Sequence, residues 1–247
     1  MSTRRFFVEP GDVAADVLRL QPDEARHAER VLRLAPGTRI TCFDGRGSAW
    51  HGTIASFDSR GATIVDLERV DLPIEPGPRL HLAQSIIKND AMDLVVQKTT
   101  ELGIASITPV LAERCDVRRD AERASRRVER WRKIVREAAK QCERNTLPNV
   151  GEPVGLDDAI ANARGRSIAL AERDGSVAAD VLAALNGADD VTLFVGPEGG
   201  WTEHERATFR AASCPLASLG PMILRAETAA IAAVSIARFA LARDRRS

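Results

Sequence analysis

The sequence predicts an α/β protein in which a small β-rich unit precedes a domain built on a mostly parallel sheet. Three observations predict this. Short apolar runs joined by tight turns fill residues 38–68, three prolines fall within residues 72–78, and strand-like runs alternate with helical patterns from residue 80 onward. Three prolines in seven residues cannot continue a helix or a central strand. We therefore expect a first domain at residues 1–72 and a second at residues 73–247.

The first unit is predicted to be a meander or small barrel. Asp44-Gly45 lies between apolar residues, which is a strong hairpin signal, and a second tight turn follows at Ser59-Arg60-Gly61. A helical pattern at residues 24–34 comes after the first predicted strand and before the other three. The predicted strands are residues 5–8, 38–43, 49–57 and 62–68.

The second domain is predicted to alternate strands and helices, which implies parallel pairing with helices on both faces of the sheet. Gly103 ends a helix that follows Asn89 or Asp90, and Thr202 to Glu205 fits a capping box. The longest predicted helix, residues 119–143, carries one apolar stripe and otherwise basic faces. Predicted strands are residues 80–87, 104–111, 167–171, 191–195 and 216–219, and the remaining helices are residues 177–185, 203–212 and 228–242.

Composition excludes several classes of protein. The chain has 247 residues, 44% hydrophobic and 28% charged, with a formal net charge of zero, as is typical of a globular protein. It has no apolar run long enough to span a bilayer and no secretory signal, so we expect a cytoplasmic protein without a membrane partner. Its four cysteines and four histidines are dispersed, which predicts reduced thiols and no metal.

Two glycine-rich segments near the C-terminus carry the functional signal. Each follows an apolar run and leads into a helical pattern, so each exposes backbone groups that a ligand can approach closely. The first glycine turn comprises residues 196–200, Gly-Pro-Glu-Gly-Gly, after Val195. The second glycine turn comprises residues 219–224, Leu-Gly-Pro-Met-Ile-Leu, and is followed by Arg225 and Glu227. A purely structural turn has no need of two apolar side chains and a cation beside a helix start.

These segments, together with others along the chain, resemble the SPOUT methyltransferases, and among them the bacterial family that methylates N3 of a uridine in 16S ribosomal RNA. The similarity covers nearly the full length, and the two glycine turns are its most specific part. Cys115 stands where the family pattern has serine. The further matching segments are residues 4–7 (Arg-Arg-Phe-Phe), 97–103 (Gln-Lys-Thr-Thr-Glu-Leu-Gly), 113–115 (Glu-Arg-Cys) and 138–144 (Ala-Ala-Lys-Gln-Cys-Glu-Arg).

The resemblance implies a fold, a methyl donor and partners. The first domain would be a PUA-like β-barrel that helps to hold RNA, and the second a SPOUT domain with a deep trefoil knot that forms a homodimer. The donor would be S-adenosylmethionine, the other partner 16S rRNA or the small ribosomal subunit. The implied donor-binding residues are Leu170, Val195, Gly196, Pro197, Glu198, Gly199, Gly200, Leu219, Gly220, Ile223, Leu224 and Thr228.

The acceptor chemistry indicates the catalytic candidates. N3 of uracil is a poor nucleophile until its imide proton leaves, and the resulting charge spreads onto the flanking carbonyl oxygens. A fixed guanidinium would stabilise that charge; Arg225 is the first candidate, with Arg4 or Arg5 as the second. Glu198 or Glu227 could accept the proton, and so could water. For RNA binding we expect Arg4, Arg5, Arg114 and Arg118.

Other functions fit parts of the sequence. A non-catalytic RNA-binding assembly factor would use the glycine turns only structurally. A SPOUT methyltransferase acting on another RNA, such as a tRNA ribose, would share the second domain, although the full-length match argues against it. A nucleotide-dependent enzyme could cradle phosphates at residues 196–200, but that turn has no lysine nearby.

Overall fold

The computed structural model describes residues 4–14, 16–70, 78–115, 121–171, 176–177 and 188–243. The chain divides into two compact units. The first comprises residues 1–74 and 136–147, and the second comprises residues 75–135 and 148–247. The predicted boundary at residues 72 and 73 lies outside the described residues and stays a prediction. No helix in the described ranges is both long and apolar enough to cross a membrane.

The first unit contains a curled, mixed five-stranded sheet. The order is β1-β3-β4-β5-β2, and only β1 and β3 pair in parallel. The predicted meander of three consecutive strands is confirmed, since β4 pairs antiparallel with both of its sequence neighbours. The strands are β1 (Arg5–Phe7), β2 (Leu18–Leu20), β3 (Arg39–Phe43), β4 (Ala49–Asp58) and β5 (Gly61–Val70).

The predicted helix at residues 24–34 is shorter and changes type along its length. Helix α1 (Pro22–Arg26) continues as a π-helical turn, His27–Val31, in which Leu32 N donates to His27 O at 3.0 Å. Arg33 then has a φ of 54°, a left-handed conformation that ends the helix. Ala25 and Ala28 are buried against the sheet core, which includes Phe6, Leu18, Ile40, Ile54 and Ile64.

The C-terminal end of helix α3 (Ala121–Gln141) and the residues after it complete the first unit. Lys140 Nζ donates to Glu24 Oε1 at 2.9 Å, and both side chains are largely buried. Burial raises the pKa of Glu24, although Lys140 opposes the shift. Arg5 donates to Arg144 O at 2.7 Å, and its guanidinium lies 4.5 Å from the Phe43 ring centroid. These contacts attach a late segment of the chain to the first strands.

The second unit contains an eight-stranded sheet in which every recorded pair is parallel, which confirms the predicted architecture. Its order is β11-β13-β10-β12-β6-β7-β8, with β9 also paired to β7. The last strand in sequence therefore lies between β10 and β11. The strands are β6 (Arg79–Ser85), β7 (Ser106–Leu111), β8 (Asn149–Val150), β9 (Val154–Gly155), β10 (Arg166–Leu170), β11 (Ser176–Val177), β12 (Asp190–Val195) and β13 (Leu216–Ser218).

Helices connect these strands, largely where the sequence predicts them. Gly103, with a φ of 83°, follows the end of α2 (Asn89–Glu101), and the predicted capping box of Thr202 and Glu205 is confirmed at the start of α5 (Glu203–Ala211). Val177 belongs to a strand and not to the predicted helix 177–185, whose other residues lie outside the described ranges. With α3, the helices of this unit are α2 (Asn89–Glu101), α4 (Leu156–Ala161), α5 (Glu203–Ala211) and α6 (Ala226–Arg243).

A polar cluster fastens the amino ends of three neighbouring strands in this sheet. Asp190, the first residue of β12, accepts two hydrogen bonds from Arg79, each 2.9 Å long. Its Oδ1 also lies 2.8 Å from Nε2 of His81, whose Nδ1 is 2.7 Å from Ser106 Oγ. The hydrogen bonds from Arg79 lower the pKa of Asp190. The cluster therefore stabilises the sheet most when this carboxylate is charged.

Replacing Asp190 with Asn should lower the free energy of unfolding at neutral pH by about 1 kcal/mol, a modest value because water screens the half-open pair. Since the folded pKa lies below the unfolded value, the contribution is present above about pH 4 and disappears as pH falls through the folded pKa. Urea unfolding from pH 7 to pH 3 measures both effects. The exposed neighbour Asp189 provides the control: Asp189→Asn should unfold like the wild type, and an equal loss in both variants would contradict the assignment.

Candidate active site

The carboxyl ends of three adjoining strands meet at one cavity. Strand β10 lies between β12 and β13, so Leu170, Val195 and Ser218 end their strands side by side. Ligands of open parallel sheets bind at this edge. The cavity measures about 530 Å³ and is lined by Lys88, Ala91, Leu170, Ala171, Val195, Gly196, Pro197, Glu198, Gly200, Trp201, Arg206, Ala217, Ser218, Leu219, Met222, Ile223, Leu224, Arg225, Ala226, Glu227 and Ala229.

The first glycine turn presents backbone to this cavity. Gly200 has a φ of 65°, and its N–H donates to Pro197 O at 2.9 Å, which closes the turn. A Cβ on Gly196 would lie 3.3 Å from the indole ring of Trp201. Glycine therefore permits the left-handed backbone at Gly200 and the close packing against Trp201 at Gly196.

Trp201 fixes this turn to the end of β10. Its indole Nε1 donates to Leu170 O at 3.0 Å, and its ring meets the ring of Phe209 edge-on at 4.9 Å. The side chain is buried, so the hydrogen bond satisfies the one polar atom of the indole. Trp201 is a site residue that the sequence did not predict. The available signal was a tryptophan directly after a glycine pair.

The second glycine turn supplies an apolar wall and a cation. Gly220 has a φ of 131°, and Ser218 Oγ lies 3.0 Å from Gly220 O. Met222 and Ile223 are exposed, whereas Leu224 is half-buried. Arg225 follows directly, and its carbonyl accepts the N–H of Ala229 at 2.8 Å as α6 begins. The backbone that carries this guanidinium is therefore fixed by the helix.

Charged side chains of both signs line the cavity. Arg225 and Glu227 come from the start of α6, Glu198 from the first glycine turn, and Lys88 from the start of α2. Glu198 Oε1 accepts the backbone N–H of Lys88 at 3.1 Å, which ties the turn to the segment after β6. Lys88 and Arg206 are site residues that the sequence did not predict, because neither belongs to a glycine turn.

The three catalytic candidates, Arg225, Glu198 and Glu227, all line this cavity. Most of the implied donor-binding residues do so too, whereas Gly199, Gly220 and Thr228 are not among the lining residues. Gly199 and Thr228 are exposed beside it. Those that line it are Leu170, Val195, Gly196, Pro197, Glu198, Gly200, Leu219, Ile223 and Leu224.

The arginines predicted to bind RNA belong to different parts of the chain, and each is described within its own unit. Arg4 is exposed in the first unit, and Arg5 is buried there, donating to Arg144 O and Asn145 Oδ1. Burial lowers the pKa of Arg5. Arg114 belongs to the second unit, where it donates to Gly199 O at 2.7 Å, and Arg118 lies outside the described residues.

A buried carboxylate connects the start of α5 to the segment after β7. Glu205 is 3% exposed. Its Oε1 accepts the N–H of Glu113 at 2.9 Å, and its Oε2 accepts the N–H of Thr202 at 2.8 Å. Close by, Cys115 Sγ donates to Ile86 O at 3.2 Å, and burial raises the pKa of this thiol. The Cys115 side chain therefore acts as a neutral hydrogen-bond donor in this loop.

The fold and the cavity define an α/β domain with an open cavity at the carboxyl edge of a parallel sheet, the edge at which sheets of this class bind small molecules. Within the described ranges, no group of three or more His, Cys, Asp or Glu side chains could hold a metal ion. Residues 75–238 match the RNA methyltransferase domain family, and residues 20–67 match the RNA methyltransferase PUA domain. The chain belongs to this RNA methyltransferase family.

Individual relatives cover nearly the whole chain. Ribosomal RNA small subunit methyltransferase E of Aquifex aeolicus is 31% identical over 90% of this chain and 93% of its own. That of Bacillus subtilis is 29% identical over 94% of each. A solved structure of the Neisseria gonorrhoeae enzyme, bound to S-adenosyl methionine, is 32% identical, has a TM-score of 0.86 and covers 96% of this chain and 97% of that one. A Legionella pneumophila protein solved with bound SAM has a TM-score of 0.89 at 32% identity, covering 97% and 98%.

Replacing Glu205 with Gln should destabilise the protein by about 2 kcal/mol, because one backbone N–H would then face an amide NH₂ in a buried place. Chemical denaturation measures the loss. The matched control is Glu203→Gln on the same helix, where the side chain is 72% exposed; that change should leave the free energy of unfolding close to the wild-type value. Equal stability of the two variants would show that the buried carboxylate does not hold these loops.

Proposed function

We propose that this protein transfers a methyl group from S-adenosylmethionine to N3 of a uridine in 16S ribosomal RNA. The supporting observation is the cavity in which both glycine turns meet Arg225 and Glu227. Membership of the RNA methyltransferase family supports the reaction class. The relatives named as small-subunit RNA methyltransferases support the substrate, and the Neisseria structure with S-adenosyl methionine supports the donor.

The cavity fits a donor of this chemistry. Its volume of about 530 Å³ is within the usual range for small-molecule sites. Leu219, Ile223 and Leu224 offer an apolar seat for an adenine ring, and residues 196–200 offer backbone groups at close approach. The donor supplies an electrophilic methyl group on a sulfonium, and the chain's residues must hold it and prepare the acceptor.

Arg225 is proposed to prepare the acceptor. Loss of the N3 proton places negative charge on the two adjacent carbonyl oxygens of uracil. A guanidinium directed at one of them stabilises that charge, and a preorganised donor of this kind contributes about 3 kcal/mol. Arg225 suits the role because it lines the cavity from a backbone fixed by the start of α6.

Glu227 is proposed as the proton acceptor. Both candidate carboxylates line the cavity, but Glu198 already accepts the Lys88 N–H and therefore has a structural role in the first glycine turn. Glu227, in the first turn of α6, lies two residues from Arg225. A carboxylate there can take the N3 proton while Arg225 stabilises the oxygen, and transfer of that proton to water is the alternative.

The first unit is proposed to help to hold the RNA, since residues 20–67 match a PUA domain of RNA methyltransferases. Arg4, exposed at its start, is a candidate phosphate contact. The trefoil knot, the homodimer and 16S rRNA or the small ribosomal subunit as the partner remain parts of this proposal that rest on the resemblance. A cytoplasmic location is proposed because the named relatives are ribosomal RNA methyltransferases. Arg118 keeps its predicted RNA-binding role on the same ground.

The reaction is tested by incubating the protein with labelled S-adenosylmethionine and small ribosomal subunits that lack their modifications. We expect label on a single uridine of 16S rRNA, in 3-methyluridine, as mapped by nuclease digestion and mass spectrometry. Unmodified tRNA and large subunits serve as controls and should stay unlabelled. Methyl on ribose, or on another base position, would refute the N3 assignment.

Replacing Arg225 with Ala should lower kcat about 100-fold, because a preorganised charge donor is lost. Binding of S-adenosylmethionine, measured by calorimetry, should change less than about threefold. Arg210→Ala on α5 is the control: Arg210 is exposed, forms an ion pair with Glu203 and does not line the cavity. A 100-fold loss of donor affinity at unchanged kcat would assign Arg225 to donor binding instead.

A further inference from the structure

We propose that Arg114 is a positioning residue for the methyl donor, which sets the shape of the first glycine turn before RNA binds. The inference rests on the proposed function, because it concerns the same cavity. It assigns to Arg114 a task other than the phosphate contact that its charge alone would indicate.

The contact between Arg114 and Gly199 has two parts. Nη1 of Arg114 donates to Gly199 O at 2.7 Å, a short distance that is typical of a charge-assisted hydrogen bond. The aliphatic part of the side chain lies across the same residue: a Cβ on Gly199 would be 3.3 Å from both Cβ and Cδ of Arg114. The guanidinium of Arg114 therefore holds the Gly199 carbonyl, and the aliphatic part of the side chain covers the Gly199 α-carbon.

This contact lies on the side of the turn that does not face the cavity. Gly196 and Gly200 line the cavity, whereas Gly199 between them does not. The turn is closed by the bond from Gly200 N to Pro197 O, so the orientation of the Gly199 carbonyl is coupled to the conformation of Gly200, whose φ is 65°. Holding that carbonyl fixes the backbone groups that face the donor.

Hydrogen bonds hold the residues on both sides of Arg114. The N–H of the preceding residue, Glu113, donates to the buried carboxylate of Glu205. The next residue, Cys115, donates from its backbone to Ala112 O at 3.2 Å and from its thiol to Ile86 O. The Arg114 side chain is exposed, but the backbone that carries it is held on both sides. The bond to Gly199 O therefore has to order only the side chain, so more of its energy goes to the shape of the turn.

The test measures donor binding in the absence of RNA. Calorimetry with S-adenosylmethionine should give a dissociation constant about tenfold higher for Arg114→Ala than for the wild type, the value for one lost charge-assisted bond. Arg114→Lys should recover part of the loss, because a lysine has a similar stem but no fork. Arg210→Ala, an exposed arginine on α5 that pairs with Glu203, should bind the donor as the wild type does.

Kinetics separate positioning from general damage. Arg114→Ala should raise KM for S-adenosylmethionine about tenfold and leave kcat within about twofold, since Arg114 lines no part of the cavity. Gly199→Ala, which crowds the arginine stem, should also weaken donor binding. Its effect should be smaller when Arg114 is already Ala, because the two residues are in contact.

Two results would overturn the inference, and they are distinguishable. An unchanged donor dissociation constant in Arg114→Ala, with a salt slope of RNA binding reduced by about one, would make Arg114 a phosphate contact. Absence of donor binding by the wild type would refute the proposed function and this inference with it.

Discussion

The backbone hydrogen bonds that place β13 beside β10 are the constraint on which the site depends. Ala169 N donates to Pro215 O at 3.0 Å, and Ala171 N donates to Ala217 O at 2.8 Å. Because β10 also pairs with β12, the two glycine turns, which are separated in sequence by residues 201–218, leave the sheet at neighbouring places. With another strand order, the glycine turns would face different surfaces and Arg225 would have no cavity to line.

Much of the fold could be predicted from local signals. The hairpin at Asp44-Gly45, the capping box at Thr202 and the alternation of strands and helices each depend on a few adjacent residues. The strand order could not be predicted this way, because parallel pairing depends on contacts between residues far apart in the chain. Nothing in residues 216–218 indicates that this short strand lies between β10 and β11.

The same distinction between local signals and distant contacts applies to the site. Each glycine turn is a contiguous segment, and Arg225 directly follows the second one. The sequence alone could therefore predict them as site residues. Trp201, Lys88 and Glu205 contribute through partners at Leu170, Glu198 and Glu113, and such pairs cannot be recognised from one sequence. Arg5 illustrates the opposite case: it is predicted to bind RNA, but its guanidinium is buried against the Phe43 ring and the Arg144 carbonyl.

The composition of the first unit has a consequence for biosynthesis. A ribosome delivers residues 5–70 first, but the partners of Arg5 and Glu24 are Arg144, Asn145 and Lys140. The sheet of the first unit therefore cannot complete its packing until about seventy more residues have left the exit tunnel. Until then the charged groups of Arg5 and Glu24 stay hydrated. Synthesis from the N-terminus thus makes the first unit depend on a later segment, because its sheet reaches its final packing only after residues 136–147 have been made.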